Sequence, residues 1–185
     1  AWYGGESGGA AIADVLYGDY NPSGKLPITF YKDTTQFGGF EDYAMKGRTY
    51  RFMSDPLFPF GYGLSYTRFA IGEAKVSHTT VSPGKTIVID VPVTNTGKRD
   101  GTEVVQVYVR KINDADGPLK TLRGYQRISL PSSATKVVSI TLPPDAFEFF
   151  DRASGKMLVA PGQYQIFYGN SSDNKDLKTI TITIQ

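Results

Sequence analysis

The stretch Pro56-Leu57-Phe58-Pro59-Phe60-Gly61-Tyr62-Gly63-Leu64-Ser65-Tyr66 separates two parts of the chain that have different sequence patterns. Large apolar side chains stand at every second position, which predicts an extended segment that turns them all to one side. The two prolines exclude a helix interior, while Gly61 and Gly63 permit a bend or a close approach to another surface. We call residues 56–69, which begin with this stretch, the strap. We predict that it packs against a large partner, with an ordinary aromatic-rich edge strand as the alternative.

After the strap, the sequence alternates apolar and polar residues, as half-buried β-strands do. The alternation is strictest over residues 85–93 and 179–184. Further strands are predicted over residues 101–111, 119–130, 135–142, 162–168 and 177–184. About seven strands over roughly 115 residues predict a β-sandwich.

Before the strap, the sequence predicts one helix and one strand. Helix-forming residues with an apolar face predict a helix from Glu6 to Tyr17, and Gly18 follows at a position that favours a left-handed cap. We expect Glu6 to serve the helix start and not catalysis. Residues 26–31 predict a short strand, and residues 32–55 a long loop, which is uncommon unless it is functional or a neighbour holds it. The apolar face of the helix needs a partner, which we expect upstream of this chain.

The composition excludes several classes of function. With 185 residues and a net charge of +2, the chain shows no basic excess that would suggest a nucleic-acid partner. It has no cysteine, hence no disulfide framework and no thiolate metal site. No apolar run approaches the roughly 20 residues of a membrane span. We expect no cofactor and no metal, and no catalytic role for His78, the single histidine.

Four ordered motifs resemble the C-terminal part of family 3 glycoside hydrolases. Residues 57–66 resemble the segment that joins the α/β domain of that family to its fibronectin type III-like domain. Residues 1–9, 18–27 and 42–52 resemble the strand-to-helix turn, the loop after it and the Gly-Arg-Thr-Tyr-Arg box, although Gly4 replaces the usual proline. The resemblance covers essentially the whole chain.

The resemblance implies a mainly β fold in three parts. Residues 70–185 would form a fibronectin type III-like (immunoglobulin-like) β-sandwich. Residues 1–55 would be a helix-strand remnant that ends an α/β glycosidase domain and carries a long aromatic-rich loop. Residues 56–69, the strap, would link the two.

The resemblance also implies hydrolysis of terminal β-linked sugars with retention, which needs two carboxyl groups about 5 Å apart. In that family the nucleophile lies on an N-terminal barrel and the acid/base precedes the first motif, so no catalytic residue is expected here. Because the chain opens at Ala1 inside a motif, we expect a fragment that is inactive alone. Its parent would be a β-glucosidase or, as second choice, a β-xylosidase, and the resemblance favours a periplasmic or secreted protein. The expected partners are the upstream barrel and α/β domains of the same protein, and a β-linked oligosaccharide or glycoside bound by the whole enzyme.

Two groups of residues are candidates for interactions. Tyr43, Arg48, Tyr50 and Arg51 are candidates for the rim of a sugar site, because aromatic rings stack on pyranose faces and arginine donates forked hydrogen bonds. Alternatively, they tie the long loop to neighbouring domains.

The second group, Phe58, Phe60 and Tyr62, is predicted to dock the sandwich against the α/β domain. A non-catalytic β-sandwich module that binds carbohydrate or protein is the alternative to the glycosidase interpretation. Such a module would have no use for the helix and the strap, so these features favour the glycosidase.

Overall fold

The computed structural model describes residues 3–36 and 38–185 of the chain. Ala1 and Trp2 of the first motif, and Phe37 of the long loop, lie outside the described residues. The helices are α1 (Gly8–Tyr17) and α2 (Thr49–Phe52), with 3-10 turns at Thr34–Gln36 and Pro144–Phe147. The strands are β1 (Phe69–Ile71), β2 (Lys75–Val76), β3 (Thr80–Val81), β4 (Ile87–Asn95), β5 (Gly101–Lys111), β6 (Thr121–Leu130), β7 (Thr135–Leu142), β8 (Phe149–Asp151), β9 (Lys156–Leu158), β10 (Gly162–Gly169) and β11 (Lys178–Ile184).

Two sheets form the sandwich. In the first, β4 pairs antiparallel with β1, β2 and β7. The second has the order β3-β11-β10-β5-β6 and is antiparallel except where β3 runs parallel to β11. A separate β8–β9 hairpin contains the remaining two strands of the described residues. The prediction of a β-sandwich is confirmed.

The core lies between the sheets, and the alternation of the sequence explains which side chains fill it. Residues 87, 89, 91 and 93 of β4 are all fully buried, and residues 105, 107 and 109 of β5 face them from the other sheet. Near the C-terminus, Ile182 and Ile184 of β11 are buried while Thr181 is exposed. Removing these branched side chains from water is the main stabilising term of the fold.

The long strands were predicted and the short ones were not. All six runs named from the sequence correspond to β4, β5, β6, β7, β10 and β11. The described residues hold eleven strands, and the additional five are two or three residues long. A segment of that length shows no period, so its pairing depends on neighbours that are distant in the sequence.

Helix α1 was predicted from Glu6 and begins two residues later, at Gly8. Gly18 ends it in the left-handed conformation, with φ of 84°, and its N–H bonds to the carbonyl of Val15. None of the ten residues of α1 is buried, and Leu16 is 74% exposed. The helix therefore shows its apolar face to solvent in this structure.

The predicted strand over residues 26–31 is wrong. This segment crosses the strap with hydrogen bonds between Leu26 and Tyr62 (2.8 Å) and between Phe30 and Phe58 (2.9 Å), and only the second forms a β-bridge. A turn in the strap between Phe58 and Tyr62 prevents a continuous ladder. The long loop also contains more structure than predicted, since α2 lies in it and Leu119 N–H bonds to the Arg51 carbonyl at 2.6 Å.

Candidate functional site

The strap is bent at its centre, so the prediction that its large side chains form one row is wrong. Tyr62 N–H donates to the Pro59 carbonyl at 3.2 Å, which closes a β-turn. Gly61 occupies the third position of that turn with φ of 76°, as a type II turn requires. The turn separates Phe60 from Phe58 and Tyr62, and the two sides of the strap have different neighbours.

Phe60 packs against the sandwich. Its ring stacks on Tyr50 at 4.4 Å between centroids, and Tyr50 meets the ring of Tyr108 edge-on at 5.7 Å. The Tyr50 hydroxyl accepts a hydrogen bond from Leu122 N–H at 3.2 Å. Burial raises the pKa of Tyr108, whose side chain is fully enclosed. The strap and α2 thus cover part of the outer face of the second sheet.

Gln106 fixes the backbone of the strap to that face. Its Nε2 donates to the carbonyls of Gly61 (3.0 Å) and Asn170 (2.8 Å), and its Oε1 accepts from the Tyr108 hydroxyl at 2.6 Å. Ser172 N–H adds a bond to the Phe60 carbonyl at 2.9 Å. Gln106 and Tyr108 were not predicted as functional residues, because they alternate with core valines and would face solvent if nothing covered the sheet. One signal in the sequence could have indicated their burial: neither of these two outward positions carries a charged side chain.

A second attachment joins the loop before the strap to β5. Lys25 Nζ lies 2.6 Å from Glu103 Oε1, and the two side chains are only 15% and 8% exposed. Glu103 also accepts hydrogen bonds from Val104 N–H (2.7 Å) and Asn170 Nδ2 (3.2 Å). The charge pair is therefore enclosed and its carboxylate is well satisfied, as buried charges need to be.

Asn21 links three segments of the chain. Its Oδ1 accepts from Ser65 Oγ (2.9 Å) and Tyr66 N–H (2.8 Å), and its Nδ2 donates to the Asp100 carbonyl at 2.8 Å. Nearby, the backbone of Gly63 passes so close to the preceding loop that a Cβ there would stand 2.2 Å from the Gly24 carbonyl oxygen. The prediction that Gly63 allows a close approach to another surface is confirmed.

The other side of the strap is open and apolar. The rings of Phe58 and Tyr62 stack at 5.7 Å, and Phe30 meets Phe58 edge-on at 6.3 Å. Together with Ile12 and Leu16 of α1 they line a groove of about 820 Å³, which we call the apolar groove. Phe58 is 43% exposed. Among the described residues that line the groove, Lys25 is the single charged one.

The four rim candidates are not brought together on one surface. Tyr50 and Arg51 contact the sandwich, and burial, together with the charge of the Arg51 guanidinium, lowers the pKa of Arg123 on β6. Arg48 donates to the carbonyl of Asp42 within the loop, and Tyr43 is exposed. A role for any of them at a sugar site stays a prediction.

The remaining chemical candidates do not form a site. Glu6 is exposed just before α1, and His78 is exposed between β2 and β3. In residues 3–36 and 38–185, no group of three or more histidines, cysteines or acidic residues is placed to hold a metal. Over the same residues, no helix is long and apolar enough to cross a membrane.

Two family models match the chain. Residues 1–66 match the glycosyl hydrolase family 3 C-terminal domain, and residues 103–172 match the fibronectin type III-like domain.

Curated relatives match over nearly the full chain. The xylan 1,4-beta-xylosidase of Xylanibacter ruminicola is 52% identical over 100% of the chain, which covers 21% of that protein. The periplasmic beta-glucosidase of Salmonella typhimurium is 38% identical over 92% of the chain and is itself covered to 24%. The chain thus spans about a fifth to a quarter of the length of these relatives.

Solved structures of beta-glucosidases share the fold. One from Streptomyces venezuelae, in complex with D-glucose, superposes with a TM-score of 0.83 at 34% identity, over 100% of the chain and 26% of its own length. Another from Erythrobacter marinus gives 0.80 at 38% identity, over 96% of the chain and 24% of its own length.

Proposed function

We propose that this chain, as a member of glycoside hydrolase family 3, is the non-catalytic C-terminal part of a retaining β-glycosidase. In this proposal the chain supports the packing and stability of the whole enzyme, which removes terminal β-linked sugars. The match of residues 1–66 to a glycosidase domain model favours this over a free-standing binding module. Relatives named as xylosidases and as glucosidases both cover the chain, so both sugars belong in the assay.

The observation that carries the proposal is the two-sided strap. One side is held to the sandwich by Phe60 and the Gln106 hydrogen bonds, while the other presents the apolar groove. A ten-residue helix with no buried residue gains little stability by itself, because short helices depend on packing of their apolar face. We propose that the upstream α/β domain fills the groove and buries Phe58, Tyr62 and Leu16.

Domain docking serves the proposed chemistry by fixing geometry. Retaining glycosidases need a nucleophile and an acid/base about 5–5.5 Å apart, and a displacement of about 1 Å can cost about a hundredfold in rate. In our proposal these carboxyl groups lie on the upstream domains. The residues of this chain hold the strap against β5 and exclude water from the groove, so that the docked domain keeps one position. Tyr43 and Arg48, on the exposed part of the long loop, are the rim candidates that we still propose for contact with substrate.

The test compares the 185-residue chain with the whole enzyme on aryl β-glucosides and aryl β-xylosides. We expect no turnover above background from the chain alone and measurable turnover from the whole enzyme. In the whole enzyme, Phe58→Ala should lower the melting temperature and the rate. The control is Tyr125→Ala, which removes a 68% exposed ring that lies outside the groove. Turnover by the chain alone, or equal effects of the two substitutions, would contradict the proposal.

A further inference from the structure

A second cavity, lined in part by charged and amide side chains, lies between the strap and the outer face of the second sheet. It has a volume of about 340 Å³ and is lined by Tyr50, Pro59, Arg110, Lys120, Gln165 and Phe167, among others. None of its lining residues lines the apolar groove. The docking proposal therefore leaves this cavity without a role.

Lys120 is a buried cation in the wall of this cavity. It is 5% exposed, and its Nζ donates to the Ser172 carbonyl at 2.8 Å and to Asn174 Oδ1. The same nitrogen lies 5.6 Å from the centroid of the Phe167 ring. Within the described residues it has no carboxylate at salt-bridge distance, so its neutral partners leave the charge uncompensated. Burial lowers the pKa of Lys120 to about 8, although the charge of Asp173 acts in the opposite direction.

Arg110 is a second cation of the same cavity. It lies on β5 directly across from Gln165 of β10, and both side chains line the cavity. Its guanidinium has no ion pair and no hydrogen bond within the described part of the chain. Of the described residues that line the cavity, Asp173 is the single acidic one, so two positive charges there face one negative charge. An anionic ligand would balance this excess.

We propose that this cavity binds a sugar that carries a carboxylate, a hexuronate. Its volume suits a ligand of one ring, at the lower end of the usual range of about 300–1,000 Å³ for small-molecule sites. The forked guanidinium of Arg110 matches a carboxylate, and Lys120 adds a point charge. The amides of Gln165 and Asn174 can pair with hydroxyl groups, and Phe167 offers an apolar wall. The inference goes beyond the proposed function and does not depend on it.

The test is calorimetric titration of D-glucuronate into the natural full-length protein that contains this chain. D-glucose serves as the neutral sugar and acetate as the bare carboxylate. We expect D-glucuronate to bind at least about tenfold more tightly than either, since one lost charged contact corresponds to about a factor of ten. Arg110→Gln should weaken D-glucuronate by about tenfold. The matched control is Lys111→Gln, which removes the same charge from the neighbouring residue of β5, outside the cavity lining.

Lys120→Met provides a second variant, and thermal unfolding checks that each variant is folded. It should also weaken D-glucuronate, while its effect on D-glucose should be small. Equal binding of D-glucuronate and D-glucose would overturn the assignment to an anion, and equal binding of acetate would overturn the assignment to a sugar. If D-glucuronate does not bind to the full-length protein, the proposal is also overturned. That result is expected if an acidic side chain of the same protein fills the cavity. Equal affinities of the Arg110 and Lys111 variants would do the same.

Discussion

The amide of Gln106 lies directly against the α-carbon of Gly61: a Cβ built on Gly61 would stand 1.9 Å from Gln106 Oε1. The same amide donates to the Gly61 carbonyl at 3.0 Å. The turn at the centre of the strap therefore requires that Gly61 has no side chain, and so do the Gln106 hydrogen bonds that hold the strap to β5. Gly61 also has φ of 76°, a conformation that L-residues with a side chain rarely adopt.

We predict that Gly61→Ala destabilises the chain more than Gly47→Ala. Gly47 has nearly the same φ, 74°, but a Cβ there would meet nothing within 4 Å. Gly47→Ala should therefore report the conformational cost alone, about 1 kcal/mol. Gly61→Ala adds a clash between the new methyl group and the Gln106 amide, and should cost about 3 kcal/mol. Denaturant unfolding measures both, and equal losses would show that the strap can shift without cost.

We also predict that Phe60 and Phe58 differ in the isolated chain. Phe60 stacks on Tyr50 at 4.4 Å, so Phe60→Ala should cost about 3 kcal/mol. Phe58 is 43% exposed in the apolar groove, so Phe58→Ala should cost about 1 kcal/mol. In the whole enzyme the loss for Phe58→Ala should grow, because the docked domain buries its ring. The unfolding free energies of both variants in both proteins check this, and similar losses in the isolated chain would contradict the different environments that we assign to the two rings.

Phe58 and Phe60 illustrate which features of this fold the sequence predicts and which it does not. The long strands were predictable because alternation over seven or more residues fixes which side faces the core. The bend in the strap was not predictable. The spacing of apolar residues shows which positions are apolar, but it does not show that Gly61 has a positive φ. A single left-handed residue reversed the direction of Phe60 relative to its neighbours.

The burial of Gln106 and Tyr108 could not be read from β5 alone either. Both occupy outward positions of the strand and are covered only because residues about 45–60 positions earlier in the chain fold over them, as a non-local contact. The same holds for the cavity that contains Lys120 and Arg110, whose walls include parts of the strap, β5, β10 and the segment before β6. The sequence predicted a docking surface on the strap. It did not predict that Phe60 would face the sandwich while Phe58 and Tyr62 face the apolar groove.

A third prediction concerns the enclosed charge pair. Lys25→Met should cost about 2–3 kcal/mol, because it leaves the buried carboxylate of Glu103 without its cation. The matched control is Lys32→Met, since Lys32 pairs with Asp55 at the same 2.6 Å distance but the side chains are 47% and 75% exposed. That variant should change stability by about 0–1 kcal/mol. Urea unfolding at low and high salt provides the measurement, and a loss for Lys32→Met as large as that for Lys25→Met would contradict the assignment.

The last prediction is a pH dependence that follows from the buried position of Lys120. Its pKa in the folded chain is about 8, below the ordinary value of 10.5, because burial disfavours the charged amine. Between these two values the unfolded chain holds a proton that the folded chain has released. Stability rises with pH wherever the unfolded state binds more protons. The contribution of Lys120 to the free energy of unfolding should therefore increase from about pH 8 to about pH 10.5.

Lys120→Met isolates this contribution, because methionine keeps much of the buried chain and has no proton to release. The difference in unfolding free energy between the native chain and this variant should shift by about 2 kcal/mol in favour of the native chain between about pH 7.5 and about pH 10. Other groups that titrate in this range, including tyrosines and exposed lysines, affect both proteins and cancel in the difference. Urea unfolding at a series of pH values gives the curve. A difference that stays flat would mean that the amine is charged in the fold across the whole range, and a difference that falls with pH would mean that Lys120 has found an anionic partner.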